Sequence, residues 1–118
     1  MPTPSERCGH IYYAIDAILR DVNGHGEQAF VADLTLRSAC YYRFIVIGEA
    51  GDSLLRSSAQ LIAQHAPNLT QSLSFAHRLR TILAHQYHRA DPKIVWDTIQ
   101  KDLPQLSADI ANLRAALP

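Results

Sequence analysis

Apolar residues recur at intervals of three and four along most of this 118-residue chain, and this spacing is the strongest constraint on its fold. The first such segment follows Ser5 and carries Ile11, Ile15, Ile18 and Val22 on one side. This is the pattern of an amphipathic helix whose apolar face packs against a core. Glycine and proline, which interrupt helices, number only five and six. The sequence therefore predicts an all-α fold.

Turn and capping residues divide the rest of the N-terminal half. The run Asn23-Gly24-His25-Gly26 ends the first helix, and Phe30 begins the next unit. Asp33 is a suitable N-cap for a long helix to about Ser57, whose small residues allow a neighbouring helix to approach closely. A shorter helix is predicted over 59–65, because Pro67 disfavours helix in the residue before it.

Two more helical segments are predicted in the C-terminal half. Thr70 can cap a helix from Gln71 to about Tyr87. Asp91 and Pro92 then supply the N-cap and first residue of the last helix. Pro104 is expected to kink that helix or restart it, because proline removes a backbone hydrogen bond. With no internal repeat or linker, residues 1–118 are predicted to form a single domain.

The cysteines, the N-terminus and the apolar runs indicate in which cellular compartment the protein is expected. The two cysteines have no CxxC spacing and are expected to be buried thiols of a reducing cytoplasm. The N-terminus lacks the layout of a signal peptide, and no run of about 18 apolar residues occurs. We therefore expect a soluble cytoplasmic protein without a membrane partner.

Charge is uneven along the chain. Positive and negative side chains balance overall, but residues 77–93 carry a net charge of +3 and the remainder −3. Half of the six histidines lie in this segment. A basic, histidine-rich segment in a neutral protein is a candidate site for phosphate or nucleic acid.

Motifs for nucleotide hydrolysis, dinucleotide binding, zinc peptidases and α/β-hydrolases are absent. Pairs such as His85 with His88 and Glu49 with Asp52 do not by themselves make a metal site, so neither metal nor cofactor is predicted.

Arg80 and His85 suggest chemistry that needs neither a metal nor a cofactor. Arginine can bind a phosphate through two hydrogen bonds, and histidine titrates near physiological pH, so the pair can cleave RNA without a metal.

Arg80-x4-His85-x-Tyr87 resembles the RX4HXY motif of HepT-type toxins, a branch of the HEPN superfamily of α-helical ribonucleases. Two further blocks resemble the family in the same order. Residues 43–50, RFIVIGEA, are similar to its helix ending in IGEA, and residues 91–104, DPKIVWDTIQKDLP, to its DPEIVWDTIQNDLP-like tail. Three ordered blocks are far more specific than the motif alone.

The resemblance implies an up-and-down bundle of roughly four to six helices that forms a homodimer. It further implies a metal-independent endoribonuclease with Arg80 and His85 as catalytic residues in a cleft at the dimer interface. The implied role is that of the toxin in a type VII-like toxin–antitoxin system acting on tRNA or mRNA. Its implied antitoxin is a minimal nucleotidyltransferase that silences the toxin by AMPylation of Tyr87.

Helix geometry constrains this site. On a regular helix Arg80 and Tyr87 share a face, whereas His85 points about 140° away from Arg80. Either the helix loosens before His85, or the site is shared across a symmetric dimer.

Several residues are candidates for supporting roles, although each also has an ordinary surface explanation. Arg78, His88 and Arg89 are candidate RNA contacts, and Glu49 is a candidate to orient His85 or an arginine. Thr81 stands where many relatives have Asn, and it lacks the paired donor and acceptor of the amide. The tyrosines are expected to pack in the core or dimer interface more than to stack on bases; they are Tyr12, Tyr13, Tyr41 and Tyr42.

A different class of function also fits the sequence. In this alternative the chain is a non-catalytic helical binding module whose basic segment docks and regulates a nucleotidyltransferase or a nucleotide. Thr81 is the residue that favours it.

Overall fold

The first helix, α1 (Pro4–Val22), begins where the Thr3 hydroxyl accepts a hydrogen bond from the Glu6 backbone N–H. The computed structural model describes all 118 residues. Helix α1 has the predicted apolar face, with Ile11, Ile15 and Ile18 buried. The helix ends at the glycine-containing turn, where Gly24 has a positive φ of 83°.

Three helices make up the middle of the chain, and their order is α2 (Glu27–Ala32), α3 (Leu34–Ser57) and α4 (Ala59–His65). Asp33 caps α3 as predicted, because its Oδ1 accepts a hydrogen bond of 3.0 Å from the Leu36 backbone N–H. The ends of α3 and α4 also agree with the sequence prediction. The short helix α2 holds Phe30, whose ring lies 5.4 Å from that of Trp96.

The C-terminal half contains α5 (Leu69–His85), a 3₁₀ turn (Tyr87–Arg89), α6 (Pro92–Lys101) and α7 (Leu103–Ala116). Thr70 does not cap α5: the helix begins at Leu69, two residues before the predicted start at Gln71, and Asn68 holds the N-cap position without a side-chain bond. Asp91 caps α6 as predicted. Pro104 lies in the first turn of α7, so the last segment is two helices.

All seven helices surround one core, which confirms the predicted all-α bundle. The helix count exceeds the expected range because α2 is an extra short helix and the last segment is divided. The long helix α3 packs against both α1 and α5. Cys8 and Cys40 are free and buried, and burial raises the pKa of the Cys40 thiol to about 11. No helix is both long and apolar enough to cross a membrane.

Candidate functional site

Helices α3 and α5 run antiparallel and approach each other closely at Gly48. A methyl group added at Gly48 would lie 2.3 Å from Cβ of Arg80 and 2.7 Å from the carbonyl oxygen of Ala76. Both distances are far shorter than van der Waals contact, so the crossing requires glycine. One turn further along α3, Gly51 packs on the Leu73 side chain. The small residues of α3 thus hold the segment that carries Arg80 against its neighbour.

Arg80 and Glu49 form an ion pair beside this crossing. The Arg80 Nη2 donates a hydrogen bond to the Glu49 Oε1. The Arg80 side chain is 26% exposed, and its Nε is buried without a partner in the chain. Of the two roles expected for Glu49, orienting the histidine or an arginine, the contact made is with an arginine. Asp52 instead pairs with Arg56 on its own helix at 3.0 Å.

His85 is the last residue of α5, and its side chain is exposed. The helix stays regular to this point, because the Gln86 backbone N–H still donates to the Ile82 carbonyl at 2.7 Å. Arg80 and His85 therefore point about 140° apart around α5. The structure excludes the first of the two arrangements considered above, a helix that loosens before His85.

Tyr87 lies outside α5, so the prediction that the helix reaches Tyr87 and that Arg80 and Tyr87 share a helix face is wrong. Gln86 leaves the helical conformation, with φ −144° and ψ 46°, and Tyr87 begins the 3₁₀ turn. The Tyr87 side chain is 65% exposed. Its ring meets that of His88 edge to face, with centroids 6.0 Å apart. The phenol is therefore accessible from solvent.

The remaining candidate residues all belong to the basic segment, residues 77–93, and lie on α5 or on the 3₁₀ turn. The Thr81 hydroxyl donates to the His77 carbonyl within α5 at 3.2 Å. Arg89 donates to the Gln86 side chain across the 3₁₀ turn at 3.0 Å. Arg78 and His88 have exposed side chains. No three His, Cys, Asp or Glu side chains lie together in an arrangement that could hold a metal ion.

A cleft of about 490 Å³ opens beside Tyr87, between the first half of α3 and the segment after α5. We call it the tyrosine cleft; its walls include Arg37, Tyr41, Tyr42, Leu83, Tyr87 and His88. Tyr42 is 60% exposed, so packing in the chain's core is excluded for it. Sequence reasoning missed Arg37, although its position four residues before Tyr41 places both on one face of α3.

Comparison with known proteins identifies the family of the chain. A family model described as "Ribonuclease HepT-like" matches residues 11–113. The chain is also similar to a protein of Caldanaerobacter subterraneus subsp. tengcongensis named "Putative RNase TTE0752", with 26% identity over 113 residues and 96% of each chain covered. No solved structure matches the chain. Because the family model spans most of the seven-helix bundle and the whole candidate site, the chain belongs to the HepT-like ribonuclease family.

Proposed function

We propose that this protein is a metal-independent endoribonuclease and the toxin of a toxin–antitoxin pair. The observation that carries the proposal is the pairing of Arg80 with Glu49 at the Gly48 crossing, with His85 exposed at the end of the same helix. Membership of a ribonuclease family supports the assignment of RNA as substrate.

The proposed reaction is internal transfer of the RNA phosphate. His85 removes the proton of the ribose 2′-hydroxyl, and the 2′-oxygen attacks the adjacent phosphorus. The bond from phosphorus to the 5′-oxygen breaks, and the protonated imidazole returns a proton to that oxygen. The products are a 2′,3′-cyclic phosphate and a free 5′-hydroxyl. Arg80 stabilises the negative charge that builds on the phosphate oxygens.

A homodimer would bring Arg80 and His85 together. Within one chain they diverge around α5, whereas a two-fold axis beside this helix would place Arg80 of one copy near His85 of the other. Phe75 and Ile82 are each 39% exposed on the His85 side of α5, which leaves apolar surface there for a second copy to cover. Arg78, Thr81, His88 and Arg89 would then border the RNA path, where arginine and histidine contact phosphates.

AMPylation of Tyr87 would silence the toxin. The phenol is exposed on a short turn, so a nucleotidyltransferase antitoxin could reach its oxygen. Attached AMP would add a negatively charged phosphate and a bulky nucleoside two residues after His85. Both effects oppose binding of a phosphate backbone at the same place.

Growth assays test the toxin assignment. Expression of the wild type should arrest growth, and co-expression of a nucleotidyltransferase from the neighbouring gene should relieve the arrest. Arg80→Ala and His85→Ala should be harmless at equal protein levels. Arg56→Ala is the matched control, because Arg56 is an exposed arginine paired only on its own helix, and it should remain toxic. Growth arrest by Arg80→Ala and His85→Ala equal to that of the wild type would refute the proposal.

A non-catalytic binding module is the second candidate function. The observation that favours it is the hydrogen bond within α5 from the Thr81 hydroxyl to the His77 carbonyl, at a position where many relatives have Asn. This candidate expects the wild type to bind the nucleotidyltransferase without arresting growth or cleaving RNA.

A further inference from the structure

The tyrosine cleft has the residues of a nucleobase site. Tyr41 and Tyr42 on α3 face Tyr87 and His88 from the segment after α5. Tyr42 and Tyr87 remain more than half exposed. Exposed aromatic rings that are gathered on one concave surface are typical of binding sites, whereas single exposed rings scattered over a surface are ordinary.

Cations lie around the same cleft. Arg37 lines its wall and donates one hydrogen bond to the Val31 carbonyl, which fixes the guanidinium in place. That bond uses one of its five N–H donors. The Arg43 guanidinium lies 5.7 Å from the centre of the Tyr42 ring. Aromatic faces combined with arginines form the surface on which single-stranded nucleic acid binds.

The Tyr41 hydroxyl adds a hydrogen-bonding group. Burial raises the pKa of Tyr41, and the neighbouring Arg37 opposes that shift only in part. A tyrosine phenol carries its proton at neutral pH, so the Tyr41 hydroxyl can donate a hydrogen bond to a base edge. The cleft volume lies within the roughly 300–1,000 Å³ typical of small-ligand sites.

We propose that the tyrosine cleft is a nucleobase subsite that holds one unpaired base of the RNA substrate beside the scissile phosphate. The inference rests on the proposed ribonuclease function and adds to it the place on the chain where a base of the substrate binds. Tyr42 stacks on the base, and Arg37 contacts the adjoining phosphate. A paired base in an A-form helix is stacked within the duplex and cannot enter the cleft.

Binding measurements test this subsite directly. The parent protein for these measurements is His85→Ala, which is expected not to cleave the RNA. The probe is a short unstructured RNA oligonucleotide with a fluorescent label. Adding Tyr42→Leu should raise Kd roughly 5- to 100-fold, the weakening expected when one stacked base is lost. Tyr42→Phe keeps the ring and should change Kd less than about twofold. Tyr13→Leu is the control, because Tyr13 is 63% exposed on α1, and it should have no effect.

The opposing outcomes are distinct. Equal Kd for Tyr42→Leu and the parent overturns the subsite, as does absence of any RNA binding. Loss of self-association by Tyr42→Leu in sedimentation also overturns it, because the cleft would then be a surface between copies. If Tyr42→Leu weakens RNA binding but the wild type cleaves nothing, the subsite stands and the ribonuclease proposal fails. If the wild type cleaves RNA and Tyr42→Leu binds it normally, only the subsite fails.

Discussion

The carboxylate of Glu49 on α3 accepts a hydrogen bond from Nη2 of Arg80 on α5, so the motif arginine is held by a neighbouring helix. A free arginine side chain carries about 2 kcal/mol of rotamer entropy, part of which must be lost before it can hold a phosphate. The ion pair removes some of that freedom in advance. We therefore propose that Glu49 positions Arg80 for catalysis.

Replacing Glu49 should impair catalysis more than folding. Glu49→Gln removes the charge that holds Arg80, and we expect kcat for RNA cleavage to fall about 10- to 100-fold with little change in KM. Because Glu49 is 58% exposed, the pair contributes only about 0–1 kcal/mol to stability. Steady-state kinetics and thermal unfolding together measure both effects.

Asp52→Asn is the control for Glu49→Gln. Asp52 lies one turn along α3 and pairs with Arg56 instead of Arg80. The Asp52→Asn substitution should leave kcat for RNA cleavage unchanged. Wild-type kcat in Glu49→Gln would refute the positioning role, and so would a loss of activity fully explained by unfolding.

Replacing two helical glycines by alanine should change the free energy of unfolding in opposite directions. Gly48→Ala places a methyl group against Arg80 and Ala76 and should destabilise the fold by about 1–3 kcal/mol. Gly9→Ala meets only the flexible end of Arg114 and should stabilise α1 by up to about 1 kcal/mol. Urea unfolding measures both. A Gly48→Ala protein as stable as the wild type would contradict the packing described.

Mixed dimers test whether the active site is shared between copies. We expect Arg80→Ala and His85→Ala each to be inactive, whereas a mixed dimer would contain one intact site made from the unaltered residue of each copy. With random pairing, the mixture should recover about a quarter of wild-type activity. RNA cleavage by co-expressed variants carrying different affinity tags gives the measurement. No recovery in purified mixed dimers would place each site within one chain.

Tyr87→Phe should separate catalysis from silencing. The variant keeps the ring but loses the oxygen proposed to accept AMP, so it should cleave RNA and remain active after co-expression with the nucleotidyltransferase. Intact mass should show one or more adenylyl groups on the wild type and on Tyr13→Phe, and none on Tyr87→Phe. An adenylyl group on Tyr87→Phe would assign the modification to another residue.

Local sequence signals predicted the helices well because they act within one turn. Asp33 and Asp91 cap α3 and α6 through hydrogen bonds to backbone groups two or three residues away. The end of α5 was missed, because no glycine or proline marks Gln86, where the chain leaves the helix. Short-range pattern alone cannot locate such an end.

The candidate site was only partly predictable from the sequence. The spacing of the motif predicts Arg80 and His85, and the position of Glu49 on the long helix makes it a candidate to orient an arginine or His85. The contact between Gly48 and Arg80 depends on how two helices cross, which no local pattern encodes. The same applies to the tyrosine cleft, because its two walls are 38 or more residues apart in the chain, from Ile45 to Leu83.

Cleavage of RNA by the purified protein in EDTA tests the central claim most directly. The account predicts that the wild type converts a single-stranded RNA into fragments with 2′,3′-cyclic phosphate and 5′-hydroxyl ends. Arg80→Ala and His85→Ala should lose this activity while keeping the helical circular dichroism of the wild type. Undiminished cleavage by both variants, or none by the wild type, would contradict the assignment of Arg80 and His85 as the catalytic pair.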